Sequence, residues 1–210
     1  LYFKTMNTKE FYQSKFEKYG VSPKSLLWKS KGAAHQRFRQ FWSEIDFNNK
    51  KVLDIGCGFG EFGKFLLKRY EGVEYTGVDI VPEFVENAKK LVPQGRFETF
   101  DITADQKIEG AFDVVVASGV LNGNHEDNME YRKKAIQSMF NMTDKVFAFN
   151  MLGSHPQPEN DVTSNVWYAD SIEILNYCMT LTKRVVFRHN YHPKDFTIVM
   201  YKKQKTSKII

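Results

Sequence analysis

VLDIGCGFG, residues 52–60, decides the fold, because in it an apolar strand runs directly into a glycine-rich turn. Gly56, Gly58 and Gly60 carry no Cβ atom, so a ligand can approach the backbone closely. A helical pattern follows, and the free N–H groups at the start of a helix attract polar and anionic groups. Asp54 adds a carboxylate beside the turn. The stretch therefore predicts a ligand site at the end of a strand.

Outward from this turn, strand and helix patterns alternate along the chain. Short apolar runs predict strands, and apolar residues at every third or fourth position predict helices. Strands are predicted at residues 51–55, 74–80, 96–102, 112–118 and 145–152, and helices at residues 60–70, 82–91, 128–140 and 169–178. This alternation predicts an α/β fold with a mostly parallel sheet and helices on both faces.

Two further strands are predicted at residues 184–191 and 195–203. The turn between them, residues 192–194, is too short for a crossover helix, so this pair must be antiparallel. The sheet thus ends in an antiparallel C-terminal strand, which is unusual for a plain dinucleotide-binding fold. Before residue 51 the pattern is helical, over residues 8–20, 22–30 and 33–45.

Composition and charge narrow the class of protein. The 210 residues include 42% hydrophobic and 26% charged side chains, as in soluble globular domains. No apolar run is long enough to span a bilayer, and Cys57 and Cys178 do not form a disulfide framework. No Cys/His cluster has metal-ligand spacing, so no metal is expected. We therefore expect a reduced, cytoplasmic protein that has no membrane partner.

The net charge of +5 is concentrated at the start of the chain, where residues 1–51 carry 11 basic and four acidic side chains. A basic segment of this kind either steers an anionic substrate or nucleic acid, or forms a solvated helix surface. The opening residues 1–3 have the character of an expression-tag remnant, so that Met6 is the expected native start.

VLDIGCGFG resembles the S-adenosylmethionine (SAM) signature of class I methyltransferases, an apolar strand followed by D-x-G-x-G-x-G. The order of elements from about residue 50 to residue 202 is similar to the seven-stranded sheet of that family. The resemblance implies SAM as the cofactor and methyl transfer as the reaction. It also implies a helical lid segment at 1–50 and a SAM-binding core at 51–203, and the lysine-rich closing stretch predicts a tail at 204–210.

The resemblance also implies roles for individual residues. The three glycines of the turn would line the methionine and ribose parts of SAM, and Asp54 would help to bind its ammonium group. Asp79 would accept hydrogen bonds from the ribose hydroxyls, and Ile80 would touch the adenine. Asp101, at the end of the third strand, would contact the adenine amine with the Ile102 N–H on the ring. Ser118 would lie near the methyl group.

A dinucleotide site is the alternative for the same turn. Gly58, Gly60 and Gly63 also spell G-x-G-x-x-G, and Asp79 follows about 19 residues later, near the spacing of a NAD ribose partner. Asp54, Asp101 and the antiparallel ending favour SAM. A purely structural turn remains a third interpretation, with three carboxylates at strand ends by coincidence.

The acceptor is expected near the loops that follow the fourth and fifth strands. His125 and His155 in these loops are candidate general bases, although an exposed loop histidine is the simpler interpretation of each. Candidate residues of the acceptor pocket come from the N-terminal helices and the same loops: Trp28, Lys31, Arg37, Asn122, Trp167 and Tyr168. Ordinary packing is an equal alternative for Trp167 and Tyr168. By analogy with the fold, Lys31 or Arg37 would contact a carboxylate of the acceptor.

These patterns predict an enzyme that moves the methyl group of SAM, in line, to a small-molecule or natural-product acceptor. Motifs of amino-methylating nucleic-acid enzymes, of protein-arginine enzymes and of metal-dependent catechol enzymes are not recognisable in the sequence. The alternatives are an RNA methyltransferase, which the basic N-terminus would suit, and a non-catalytic SAM-binding accessory or sensor protein. No residue pattern fixes the oligomeric state.

Overall fold

A computed structural model describes residues 7–28, 30–103, 108–161 and 163–202 of the chain. The expected start at Met6 and the expected tail at 204–210 lie outside these residues. The helices are α1 (Thr8–Tyr19), α2 (Lys31–Trp42), α3 (Glu61–Leu67), α4 (Pro82–Leu91), α5 (Asn128–Asn141) and α6 (Ser171–Leu181). The strands are β1 (Lys51–Ile55), β2 (Glu74–Asp79), β3 (Arg96–Thr99), β4 (Phe112–Ser118), β5 (Thr143–Ser154), β6 (Ala169–Asp170), β7 (Val185–Arg188) and β8 (Asp195–Tyr201).

Seven of the strands form one sheet in the order β3-β2-β1-β4-β5-β8-β7, and the two-residue β6 pairs with the end of β5. The first five strands in this order run parallel. Strand β8 is antiparallel to both of its neighbours, β5 and β7. The predicted fold class is therefore confirmed: a mostly parallel α/β sheet with an antiparallel C-terminal strand, β8, which lies between β5 and the edge strand β7.

Alternate residues of the central strands face two hydrophobic cores, one on each side of the sheet. Leu53, Val115 and Phe147 lie in a core with residues of α5 and α6, including Ile136. Their neighbours face the opposite core, where Val114 packs with residues of α2, α3 and α4. Because strands that are buried on both faces need apolar residues at nearly every position, β1 and β4 read as continuous apolar runs.

Several element boundaries differ from the sequence predictions, and two of the differences bear on the site. Strand β3 ends at Thr99, so Asp101 lies two residues beyond the strand and not at its end. The cause is local, because the Asp101 carboxylate accepts hydrogen bonds from the Thr103 N–H and hydroxyl, which favours a turn over an extended strand. The predicted helix at 22–30 is a single 3-10 turn, Pro23–Leu26, after which Leu27 adopts a left-handed conformation.

The two long N-terminal helices have different surroundings. Helix α2 buries Phe38 and Phe41 in the core beneath the sheet, and the rings of Phe38 and Phe62 lie 4.9 Å apart. Helix α1 has no fully buried residue and lies over the carboxyl ends of the strands, where the Tyr12 ring contacts Phe84 edge to face. Helix α2 is thus part of the layered core, whereas α1 lies on its surface.

None of the helices in the described part of the chain combines the length and the apolar character that a bilayer crossing requires.

The packing of α3 on β2 predicts opposite effects for two helical glycine substitutions. In Gly63→Ala the new methyl group would lie 2.5 Å from the Tyr75 ring, whereas in Gly32→Ala its nearest neighbour would be the Ser30 hydroxyl at 3.5 Å. We expect Gly63→Ala to lower the free energy of unfolding by about 2 kcal/mol through overpacking. Gly32→Ala should leave it unchanged or raise it by up to about 1 kcal/mol. Urea denaturation measures both, and equal effects would contradict this packing.

Candidate active site

The glycine turn after β1 is held against the end of β2 by backbone hydrogen bonds. The N–H groups of Gly56 and Cys57 both donate to the Val78 carbonyl, at 2.8 and 2.9 Å. Gly56 has a φ of +72°, and a Cβ atom there would lie 2.3 Å from the Val120 side chain. A side chain at position 56 would therefore strain the backbone and collide with the loop that follows β4.

Asp79, at the end of β2, ties the turn to the sheet. Its carboxylate accepts hydrogen bonds from the Gly58 N–H at 2.9 Å and from the Val81 N–H at 3.0 Å. Burial nevertheless raises the pKa of Asp79 to about 6, because desolvation of the charge outweighs these two bonds. Each carboxylate oxygen accepts one bond in the structure, which leaves acceptor capacity for two more.

Asp54 is buried beneath the turn and does not line the cleft described below. Its carboxylate accepts a hydrogen bond from the Tyr75 hydroxyl at 2.5 Å. Burial, aided by the charge of Asp79, raises the pKa of Asp54 to about 7 against the lowering effect of the bond from Tyr75. The structure thus pairs this carboxylate with Tyr75 within the core.

A cleft of about 850 Å³ opens between the carboxyl ends of the strands and the N-terminal segment that includes α1. Its size is in the range of sites that hold a cofactor and a small ligand. Among the described residues, the predicted cofactor residues that line it are Gly56, Asp79, Ile80, Asp101, Ile102 and Ser118. Gly58 and Gly60 do not line it. A Cβ atom at Gly58 would lie 3.0 Å from the Leu26 side chain, and one at Gly60, just before α3, would lie 3.1 Å from Val92 and Phe97.

Three of the six predicted acceptor residues line the same cleft. Trp28 and Arg37 come from the N-terminal segment, and Asn122 comes from the loop after β4. Lys31 is exposed at the start of α2 and lies away from the cleft. Trp167 and Tyr168 lie outside the lining as well, and the Arg132 guanidinium is stacked on the Trp167 ring at 4.2 Å.

The loops after β4 and β5 are joined at the mouth of the cleft. The Asn122 side chain accepts a hydrogen bond from the Leu152 N–H at 2.8 Å, and its carbonyl accepts one from the Trp167 N–H at 2.9 Å. Gly123 and Val166 form an antiparallel bridge. These bonds make one continuous wall of two loops that are far apart in sequence.

The two candidate histidines have different environments. His125 lines the cleft and stacks on Tyr131, with ring centroids 3.7 Å apart. Burial, aided by the charge of Arg132, lowers the pKa of His125 below its usual value, so the imidazole is neutral near pH 7. His155 is exposed and lies outside the lining, with its Nδ1 atom 3.0 Å from the Asp170 carboxylate.

Two residues of the site were missed by sequence reasoning. Tyr12 of α1 lines the cleft, and burial beside the charges of Asp79 and Tyr131 raises its pKa to about 12. Arg132 is fully buried and donates to the Gly123 carbonyl at 2.6 Å and the Asn128 carbonyl at 2.7 Å. The amphipathic pattern of α1 signals only that Tyr12 faces inward, and no local pattern distinguishes Arg132 from a surface arginine.

No group of three or more His, Cys, Asp or Glu side chains within the described ranges has an arrangement that could hold a metal ion.

Comparison with known proteins gives three kinds of match. The sequence model of a family described as a methyltransferase domain matches residues 53–145. A methyltransferase candidate of Mycobacterium tuberculosis, Rv1506c, is 30% identical over 156 residues, which cover 72% of this chain and 92% of that protein. A solved complex of DhpI with SAM and HEP superposes with a TM-score of 0.63 at 15% identity, covering 93% of this chain and 99% of that one, a likeness of fold.

Shorter matches come from enzymes with different acceptors. Trans-aconitate 2-methyltransferase of an Enterobacter species is 40% identical over 70 residues, 33% of this chain and 27% of that enzyme. Ribosomal RNA small subunit methyltransferase C of Haemophilus influenzae is 37% identical over 81 residues, 36% of this chain and 24% of that enzyme. The chain spans about a quarter of the length of each of these two relatives.

The buried Asp54 predicts a pH-dependent effect of Asp54→Asn. The folded state prefers the protonated form of Asp54. The contribution of Asp54 to the stability of the protein is therefore most favourable below about pH 4, the pKa of the carboxyl in the unfolded chain, and it falls as the pH rises towards 7. Asparagine keeps a hydrogen-bond acceptor for Tyr75 and cannot ionise. We expect the melting temperature to rise by about 5 °C at pH 8.

The gain from Asp54→Asn should shrink markedly at pH 4.5, and differential scanning calorimetry of the ligand-free protein measures it at both values. Asp79 titrates in the wild type and the variant alike, so the cost of its own burial is common to both proteins. Glu98→Gln, at a partly exposed carboxyl that pairs with Arg96 on the surface, should change the melting temperature little at either pH. The same gain at pH 8 and pH 4.5 would show that burial does not raise the pKa of Asp54.

Proposed function

The chain belongs to the class I SAM-dependent methyltransferases, and we propose that the acceptor of its methyl group is a small molecule held beside the joined loops of the cleft. The chain is an enzyme of this family, and SAM is its cofactor. The observation that carries the proposal is the cleft itself. One end lies at β2 and β3, and the other lies between Trp28, Arg37 and the wall formed by the loops after β4 and β5.

The residues at the β2 end fit the nucleoside part of SAM. Asp79 retains acceptor capacity for two hydroxyl groups, as a ribose diol requires. Gly56 leaves a space between the backbone and Val120 that any Cβ atom would fill. Asp101 and Ile102 follow β3 along the same edge, and Ile80 follows β2. In our proposal Asp79 binds the ribose, and the three neighbouring residues contact the adenine.

Asp54, Gly58 and Gly60 support this site indirectly in our proposal. Gly58 provides the N–H that holds one oxygen of Asp79. Gly60 allows the chain to turn into α3, with a φ of +77°. Asp54 holds Tyr75 in the core beneath the turn, and its carboxylate would reach the ammonium group of SAM only through other atoms of the turn.

The other end of the cleft orients the acceptor. When bound, SAM supplies a methyl carbon that its sulfonium already activates, so alignment with the acceptor atom contributes much of the catalysis. Ser118 is the last residue of β4 and lines the cleft, and Asn122 belongs to the wall of loops. His125 is neutral near pH 7 and lines the cleft, so it can remove a proton from an acceptor that still carries one. His155 has no step in this proposal because it lies away from the cleft.

The ribose contact predicts a selective loss of cofactor affinity in Asp79→Asn. Isothermal titration calorimetry should give micromolar dissociation constants for SAM and for its demethylated product, and no binding of NAD. Loss of a charged hydrogen-bond acceptor weakens the free energy of binding by about 1.5–3 kcal/mol, so Asp79→Asn should bind SAM at least tenfold more weakly than wild type.

Glu74→Gln is the matched control for Asp79→Asn, because Glu74 is an exposed carboxyl at the other end of β2. It should leave the affinity for SAM unchanged. Binding of NAD in place of SAM, or equal affinities of wild type and Asp79→Asn for SAM, would contradict the assignment of Asp79 to the ribose.

The choice of acceptor class predicts where a transferred methyl group will be found. Wild-type protein with methyl-labelled SAM and a cell extract should label the metabolite fraction, and His125→Asn should label it more slowly. Label confined to the RNA fraction would support the RNA alternative, which the basic N-terminal segment and the ribosomal RNA methyltransferase relative favour. Label in neither fraction would contradict both.

A further inference from the structure

Arg37 is the cationic side chain that lines the cleft on the β5 side of the sheet. Its Nε–H donates to the Asp195 carboxylate at 2.5 Å, across 158 positions of sequence. Asp195 is opposite Leu152 in the pairing of β5 with β8, and Leu152 is the residue whose N–H donates to Asn122. Arg37 therefore lies against the wall of joined loops, at the acceptor end of the cleft.

Asp195 fixes the orientation of the Arg37 side chain. Asp195 is 3% exposed, and its other oxygen accepts a hydrogen bond from the Tyr191 hydroxyl at 3.1 Å. Tyr191 in turn lies 2.9 Å from the Thr197 hydroxyl of β8. A guanidinium that is held by its Nε–H in this way keeps a defined plane, and both of its Nη groups stay free to donate.

The two Nη groups of Arg37 have no hydrogen-bond partner within the part of the chain that the structure describes. The acidic side chains of the described lining are Asp79, the last residue of β2, and Asp101, which follows β3. Both strands lie on the opposite side of β1 from β5. One end of the cleft thus offers carboxylates, which accept hydrogen bonds from hydroxyl and amine groups. The other end, across the central strands, offers the two free Nη groups of the Arg37 guanidinium. The other cationic side chain of the lining, Lys9, lies in the first turn of α1.

We infer that the Nη groups of Arg37 bind a carboxylate of the acceptor, so that the substrates of this enzyme are small carboxylic acids. The two parallel N–H groups of a guanidinium match the two oxygens of a carboxylate. Because Asp195 already balances part of the charge of Arg37, the site suits a monoanion better than a dianionic phosphate. This inference rests on the proposed small-molecule acceptor and specifies its class.

The experiment separates acceptors by charge before methyl transfer. A metabolite extract is divided on an anion-exchange resin at pH 7.5, and the retained and unretained fractions are each incubated with enzyme and methyl-labelled SAM. We expect labelled product from the retained fraction, and we expect phosphatase treatment of that fraction to leave the labelling unchanged. Labelled product from the unretained fraction alone would overturn the inference. A loss of labelling in the retained fraction after phosphatase treatment would overturn it as well.

Variants connect that result to Arg37. Arg37→Gln with Asp195→Asn removes both members of the pair without leaving a buried charge alone. It should raise the KM for the retained acceptor by about 30-fold or more, with calorimetric affinity for the demethylated product of SAM unchanged. Arg37→Lys should recover part of the loss, and Lys31→Gln, on the same helix but away from the cleft, should change nothing.

The outcomes distinguish a failure of carboxylate recognition by Arg37 from a failure of the proposed small-molecule acceptor. If the double variant labels the retained fraction as well as wild type does, or loses activity on retained and unretained acceptors alike, Arg37 does not recognise a carboxylate. If neither fraction yields a labelled product with wild type although SAM binds, the proposed small-molecule acceptor fails, and the inference fails with it.

Discussion

The buried carboxylate of Asp79 is the constraint on which the rest of the site depends. It lies at the end of β2. It accepts one hydrogen bond from the Gly58 N–H of the glycine turn and another from the Val81 N–H, just before α4. An ionised group in this position is costly, and burial raises its pKa to about 6. The fold tolerates the cost because the same carboxylate positions the turn and faces the cleft.

The opposite side of the cleft is organised by contacts between distant parts of the chain. Arg132 is fully buried and takes part in none of the ion pairs within the described residues, and burial lowers its pKa to about 10. Its hydrogen bonds to the Gly123 and Asn128 carbonyls and its contact with Trp167 hold the two loops together. Arg37 and Asp195 add a second link, between α2 and β8. A rigid wall of this kind can orient an acceptor because little of it has to become ordered on binding.

Local patterns predicted the parts of this structure that local forces determine. Helix α4 spans residues 82–91 and β4 spans residues 112–118, as predicted, because a proline start and a continuous apolar run define them. The start of α6 is determined just as locally, because the Asp170 carboxylate accepts hydrogen bonds from the Ile172 and Glu173 N–H groups. The glycine motif identified the edge of the sheet at which the cleft lies.

Pairings across long stretches of sequence were beyond those patterns. The contact of Asp54 with Tyr75 depends on the register of β1 and β2, and the contact of Arg37 with Asp195 spans nearly the whole chain. For the same reason the sequence could not distinguish Arg37, which lines the cleft, from Lys31 on the same helix. Likewise, the sequence left both the acceptor pocket and ordinary packing open for Trp167, and in the structure its ring packs on a buried arginine.

A crystal structure with the demethylated product of SAM would test the central claim most directly. We expect both ribose hydroxyls to lie within hydrogen-bond distance of the Asp79 carboxylate, with the adenine beside Ile80 and Ile102. We also expect the sulfur to face the wall formed by Asn122 and His125, and the Arg37 Nη groups to remain free. A ribose bound away from Asp79, or a sulfur that faces away from that wall, would contradict the account.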